Sequence, residues 1–134
     1  MSDITSLVPA SVWTFFDRIT RIPRPSKKEE QIIAYLVEFA KEAGLEYHKD
    51  GAGNVLIRKP AYPGCEDRPV VVLQSHMDMV CEKNSDVNFD FEKDPIRTRI
   101  EDGWVKAEGT TLGADCGIGM AAQLAVLAAD DIEH

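Results

Sequence analysis

Residues 70–79 read VVVLQSHMDM, and this stretch decides the fold class. Val70, Val71, Val72 and Leu73 form a continuously apolar run rich in β-branched side chains, with no polar residue alternating between them. A strand with one wet face alternates, so an unbroken run of this length implies cover on both faces, as in the central strand of an α/β sheet. Polar and ionisable residues, Ser75, His76 and Asp78, follow where the run ends. Open α/β sheets place their functional sites beyond the carboxyl ends of their strands, so the same stretch marks where chemistry belongs.

On the N-terminal side, Val12, Phe15, Phe16, Ile19 and Ile22 recur at helical spacing until Pro23 and Pro25 interrupt them, which predicts a helix over about 10–21. Ser26 followed by Glu29 has the form of a capping box. Ile32, Ile33, Leu36, Val37 and Phe39 then mark a second helix that ends at Gly44. The β-prone runs LEYH (45–48) and NVLIRK (54–59) flank the turn-rich DGAGN and read as a hairpin.

Downstream, EKNSDVNFDFEKDP (82–95) is polar and aperiodic, a long loop. IRTRI and WVKAEG around the turn EDG predict a second hairpin at about 96–107. The segment TTLGADCGIG (110–119) leads into MAAQLAVLAA, a helix from near Gly117 to near Asp130 whose small residues imply close packing on the sheet. This order describes an α/β layer fold, a sheet with helices on its faces. The chain stops at DDIEH (130–134), where such a fold normally runs on into another strand, so the sheet is expected to be incomplete.

The 134 residues carry 15 basic and 23 acidic side chains, a formal net charge of −8, and 44% of them are apolar. This length supports one core and excludes a second full domain. The acidic balance speaks against nucleic acid, which needs a basic face, and against a polybasic membrane surface. No apolar run approaches the ~20 residues needed to span a bilayer. The N-terminus MSDITSLVPASVW lacks a basic segment followed by an apolar one, so no export signal is read there. Cys65, Cys81 and Cys116 are odd in number and without CxxC spacing, which fits a reducing, cytoplasmic location better than a disulfide framework.

The HxD pair His76 and Asp78 has two chemical readings. Either the imidazole binds a metal while the carboxylate holds its other nitrogen, or both side chains are ligands. The plain alternative is a polar strand end satisfied by hydrogen bonds. Asp115, flanked by glycine-rich steps, is either a carboxylate stabilised at a helix N-terminus or a metal carboxylate on a loop whose glycines allow close approach. Imidazole plus carboxylate suits zinc or a similar divalent ion. Cys81 and Cys116 lack a neighbouring base and read as packing residues, since His48 and His134 lie in unrelated settings. Dinucleotide, phosphate-loop and GxSxG signatures are absent.

The segments RIPRPSKKEEQI (21–32), GNVLIRKPA (53–61), VVLQSHMDMVCEKN (71–84), DFEKDPI (90–96) and GTTLGADCGIGMA (109–121) together resemble the aminoacyl-histidine dipeptidases, a group of dinuclear zinc exopeptidases. The resemblance runs over nearly the whole chain. It implies that residues 1–134 are the N-terminal part of a three-layer metallopeptidase catalytic domain, with the rest of that domain and a lid or dimerisation domain lying outside them. It implies two divalent metal ions, zinc first, with manganese or cobalt as alternatives. His76 then matches a ligand of one metal and Asp115 the carboxylate bridging both. Asp78 enters the catalytic machinery as the carboxylate that orients His76.

The peptide after the bridging aspartate is expected to be cis. Cys116 stands where the resemblance leads to asparagine. The general-base glutamate and the remaining ligands have no counterpart in these residues. The parent enzyme is expected to be a homodimer that hydrolyses dipeptides, especially those with a C-terminal histidine, whereas this piece alone is expected to bind metal weakly, to be inactive and to self-associate through exposed apolar residues. The rivals are a deacylase or aminoacylase of the same metallohydrolase group, and a noncatalytic module that keeps the fold as an interaction surface.

Overall fold

The computed structural model describes residues 3–134; Met1 and Ser2, the start of the stretch read above for an export signal, lie outside the described residues. A short 3-10 turn, Ile4–Ser6, opens the chain. Asp3 caps it by accepting from the Thr5 amide. Helix α1 spans Ala10–Thr20 and buries Phe15, Phe16 and Ile19, the face predicted from their spacing. It stops one residue after Thr20 because Pro23 and Pro25 cannot continue the helical ladder.

Helix α2 spans Glu30–Glu42, with Ile32, Leu36 and Ala40 inward, and Gly44 beyond its end takes φ +66°. The expected capping box is corrected. Glu29 rather than Ser26 is the N-cap, and its carboxylate accepts from the Lys27 amide at 2.6 Å. Lys27 takes a left-handed φ of 70°, and the Ser26 hydroxyl donates to Asp78 instead.

Strands β1 (Glu46–Lys49) and β2 (Val55–Arg58) form the first predicted hairpin, antiparallel with Tyr47 opposite Ile57. Asp50 closes its turn by accepting from the Ala52 and Asn54 amides. Strands β3 (Thr98–Glu101) and β4 (Trp104–Ala107) form the second, with Ile100 opposite Val105. The loop over 82–95 contains no helix or strand, as its composition required. Helix α3 spans Ala114–Ala128, but Asp115 and Cys116 have non-helical dihedrals, so the regular turns begin at Gly117 as expected.

The mixed α/β content expected from the sequence is present. The main core joins α1, α2 and α3 through Phe16, Ile19, Ile32, Leu36, Met120 and Leu124. Helix α3 packs chiefly on α1, so its small residues serve a helix–helix contact and not the helix–sheet contact inferred from them. A second, smaller cluster of Met79, Phe89 and Ile96 fixes the long loop beneath the end of the 70–79 stretch.

That stretch departs most from expectation. Val70, Val71, Val72 and Leu73 are 90%, 75%, 77% and 54% exposed and, among the described residues, join no ladder. Each hairpin pairs only within itself, so no strand lies beside the run to cover it. Its far end is anchored, through a parallel bridge between Pro25 and Met79 and a hydrogen bond from the Met79 amide to the Arg24 carbonyl at 3.0 Å.

Candidate functional site

The residues that follow the apolar run meet the start of α3. The His76 imidazole lies between two carboxylates, with Nδ1 at 2.9 Å from Asp78 Oδ1 and Nε2 at 3.0 Å from Asp115 Oδ1. Nδ1 also stands 3.1 Å from the Asp78 carbonyl. All three residues singled out from the sequence therefore share one cluster. Its outer member is open to water, the Asp115 side chain being 97% exposed.

Local chain geometry holds each side chain in place. Ser26 Oγ donates to Asp78 Oδ2 at 2.5 Å, so Asp78 bonds the histidine with one oxygen and the serine with the other. Thr111 stitches the two segments together: its amide donates to the Glu82 carbonyl at 2.8 Å and its hydroxyl to the Val80 carbonyl at 2.7 Å. Ser75 Oγ reaches Gln123 Oε1 of α3 at 3.2 Å. Gly113 takes φ +72° at the turn before Asp115, where a Cβ would lie 2.5 Å from Arg24 Nη2. The Asp115–Cys116 peptide is cis, as the resemblance implied.

Arg24 is the residue the sequence reading missed. It is 1% exposed, and its guanidinium donates from Nη1 to the carbonyls of Met77 and Asp78, both at 3.1 Å, and from Nη2 to the Gly113 carbonyl at 2.5 Å. Burial pulls its pKa below the ordinary arginine value, an effect opposed by the charge of Asp78. Proline on both sides and the unusual Arg-Pro-Ser wording were the only sequence signal.

The electrostatics follow from these contacts. The hydrogen bond to Asp115, then that to Asp78, raises the His76 pKa above its ordinary value. The bond from Ser26, helped by that from His76, holds Asp78 below the usual carboxylate range. Burial pushes the Cys81 thiol up, the opposite of what a nucleophilic thiolate requires. His48 lies on exposed β1, and His134 bonds the carbonyls of Ile132 and Pro60, so neither joins the cluster.

The donor set fits a divalent cation in part. A tetrahedral ion at zinc-like distances from a nitrogen and an oxygen would hold them roughly 3.3 Å apart, close to the 3.0 Å between His76 Nε2 and Asp115 Oδ1. Asp78 sits on the far side of the ring, where a carboxylate orients a ligating histidine. Among the described residues, no group of three or more His, Cys, Asp or Glu side chains comes together as a metal cage. A separate apolar cleft of about 390 Å³, lined by Leu7, Trp13, Phe16, Ile100, Trp104 and Leu112 among others, has no titratable side chain in its wall.

In fold and in sequence this chain is similar to known dipeptidases. Over all 134 residues it is 54% identical to the cytosol non-specific dipeptidase of Escherichia coli, covering 28% of that protein. It superposes on the crystal structure of aminoacylhistidine dipeptidase from Vibrio alginolyticus with a TM-score of 0.97 and 54% identity, over 99% of this chain and 27% of that one. An uncharacterized protein of Bacillus subtilis, YqjE, is 29% identical in an alignment that covers 89% of this chain and 32% of that protein. The chain matches no family model. It thus spans little more than a quarter of the length of the dipeptidases it matches. No helix among the described residues is long and apolar enough to cross a membrane.

Proposed function

We propose that these residues supply the N-terminal part of the active centre of a cytosolic, metal-dependent dipeptidase that accepts dipeptides with a C-terminal histidine. The observation that carries the reading is the Asp78–His76–Asp115 array, an imidazole held between two carboxylates at the end of an anchored extended segment. The names of the two dipeptidases, at 54% identity over the chain, supply the reaction class.

In this reading Asp78 accepts from His76 Nδ1–H, which fixes the tautomer and leaves Nε2 free to hold one divalent cation. Asp115, with its carboxylate open to water, would hold the metal together with His76. Zinc is the first choice for such donors, and manganese or cobalt accept the same ones. When bound, the metal pair supplies an activated water and a Lewis acid for attack on a peptide carbonyl. This chain's own residues position the ligands: Ser26 holds Asp78, Asp78 holds His76, and the Gly113 turn presents Asp115. Two protein ligands are fewer than the three or four of a stable zinc site, so the 134 residues by themselves hold metal weakly and hydrolyse no dipeptide.

The test is metal content and hydrolysis of a dipeptide ending in histidine, measured on this chain and on a full-length protein that contains it. Stoichiometric metal and turnover in the full-length protein, both lost in Asp115→Ala, are the expected outcome. Turnover by the 134-residue chain would mean that the catalytic base lies within it. A metal-free, inactive full-length protein would sink the proposal in favour of a noncatalytic module.

A further inference from the structure

The two segments that carry the candidate ligands come from distant parts of the chain, and neither belongs to a sheet that would fix its place. Thr111 and Ser75 join them at exposed or half-buried positions, and one fully buried side chain spans them as well. Arg24 reaches residues 53 and 54 positions away through Nη1 and a residue 89 positions away through Nη2. Each accepting carbonyl lies within two residues of a candidate ligand: Met77 and Asp78 beside His76, Gly113 before Asp115. The planar guanidinium fork has a fixed angle between its donors, so the two turns cannot drift apart without losing a charge-assisted bond in a buried setting. Arg24 also carries the Pro25 bridge to Met79 on its own backbone, which locks the fork to one of the two turns it spans. The surroundings leave no slack, since a Cβ at Gly113 or Gly117 would meet Nη2 at 2.5 or 2.7 Å.

We propose that Arg24 is the positioning residue of this site: its guanidinium sets the separation of the His76–Asp78 turn and the Gly113–Asp115 turn, and with it the spacing between His76 Nε2 and Asp115. The inference rests on the metal-ligand reading of those two side chains, but its first readout needs no metal. A lysine at this position keeps the charge while losing the fork, because one ammonium cannot hold carbonyls on both turns in fixed relative geometry.

The experiment compares the unsubstituted chain with Arg24→Lys and with Leu124→Ala, a core truncation on α3 outside both turns that serves as the control for lost stability. The first readout is the nuclear Overhauser effect between the His76 ring protons and Asp115 Hβ without metal. The second is the apparent Kd for Co2+ alone, followed on the His76 resonances. The expected result is that Arg24→Lys loses the Overhauser effect and weakens Co2+ about 10–100-fold, the range for residues that orient ligands, while Leu124→Ala keeps both. Should Arg24→Lys fail to fold, Gly117→Ala, at a position whose backbone accepts a side chain, displaces Nη2 with the arginine retained and is expected to give the same two losses.

Three results overturn the proposal: Arg24→Lys unchanged in the first readout, equal losses in Leu124→Ala, or no Overhauser effect in the unsubstituted chain. Absence of Co2+ binding, or binding unaltered by Asp115→Ala, would instead remove the metal reading, and the metal-free comparison would still decide the role of Arg24.

Discussion

Gly117 has no room for a side chain, since a Cβ there would lie 2.7 Å from Arg24 Nη2 and 3.2 Å from the Phe16 ring. Its backbone dihedrals are ordinary, so the constraint is one of space. Gly117→Ala is expected to lower stability by about 1–3 kcal/mol through overpacking, seen as a lower urea midpoint with an unchanged slope. Asp50 is bound differently, by the Asn54 side chain and by the Asn54 and Ala52 amides, which together lower its pKa. A depressed carboxylate stabilises the folded turn above its unfolded-state pKa, and that contribution is lost as pH falls through the folded value. The Ala52 and Asn54 amide resonances should therefore titrate with Asp50, at a midpoint below that of an unstructured aspartate.

His76, Asp78 and Asp115 were legible as candidates from their positions, each with a plain structural alternative, and it was the motif wording of the surrounding segments that singled them out. Arg24 was not visible. It stands immediately after the helix-stopping Pro23 and three and four residues before Lys27 and Lys28, in a stretch whose composition reads as solvated. Its burial is decided by carbonyls more than fifty residues away.

Elements held by local pattern came out where the sequence put them. The apolar spacing of α1, the turn residues of both hairpins and the small-residue run of α3 act over a few residues, and tertiary contacts reinforced them. The start of α2 did not follow, because Ser26 had a better partner in Asp78 than in its own helix. A related long-range device ends α3, where Lys59 Nζ donates to the carbonyls of Val126 and Ala129. A cation at a helix C-terminus bonds the last carbonyls and complements the helix dipole. Lys59→Met is expected to cost about 1 kcal/mol and to speed amide exchange in the last turn of α3 more than in α1.

Across the whole molecule, the unpaired run Val70–Leu73 leaves an apolar segment and its backbone groups facing water. Such a segment favours pairing with another chain. The 134-residue chain is expected to self-associate, and Val71→Lys together with Leu73→Lys should shift sedimentation towards monomer without changing the helical circular dichroism. A monomer at all concentrations before substitution would count against this expectation.

The sequence by itself determined the helices, the hairpins and the α/β class and singled out the three ionisable residues of the candidate site, because these depend on periodicity, turn chemistry and motif wording over short spans. Only the tertiary structure decided that the apolar run stays uncovered, that Ser26 serves Asp78, and that Arg24 bonds carbonyls on both turns of the candidate site. Each of these depends on which distant groups arrive beside a residue, and pattern within a few positions carries no information about that.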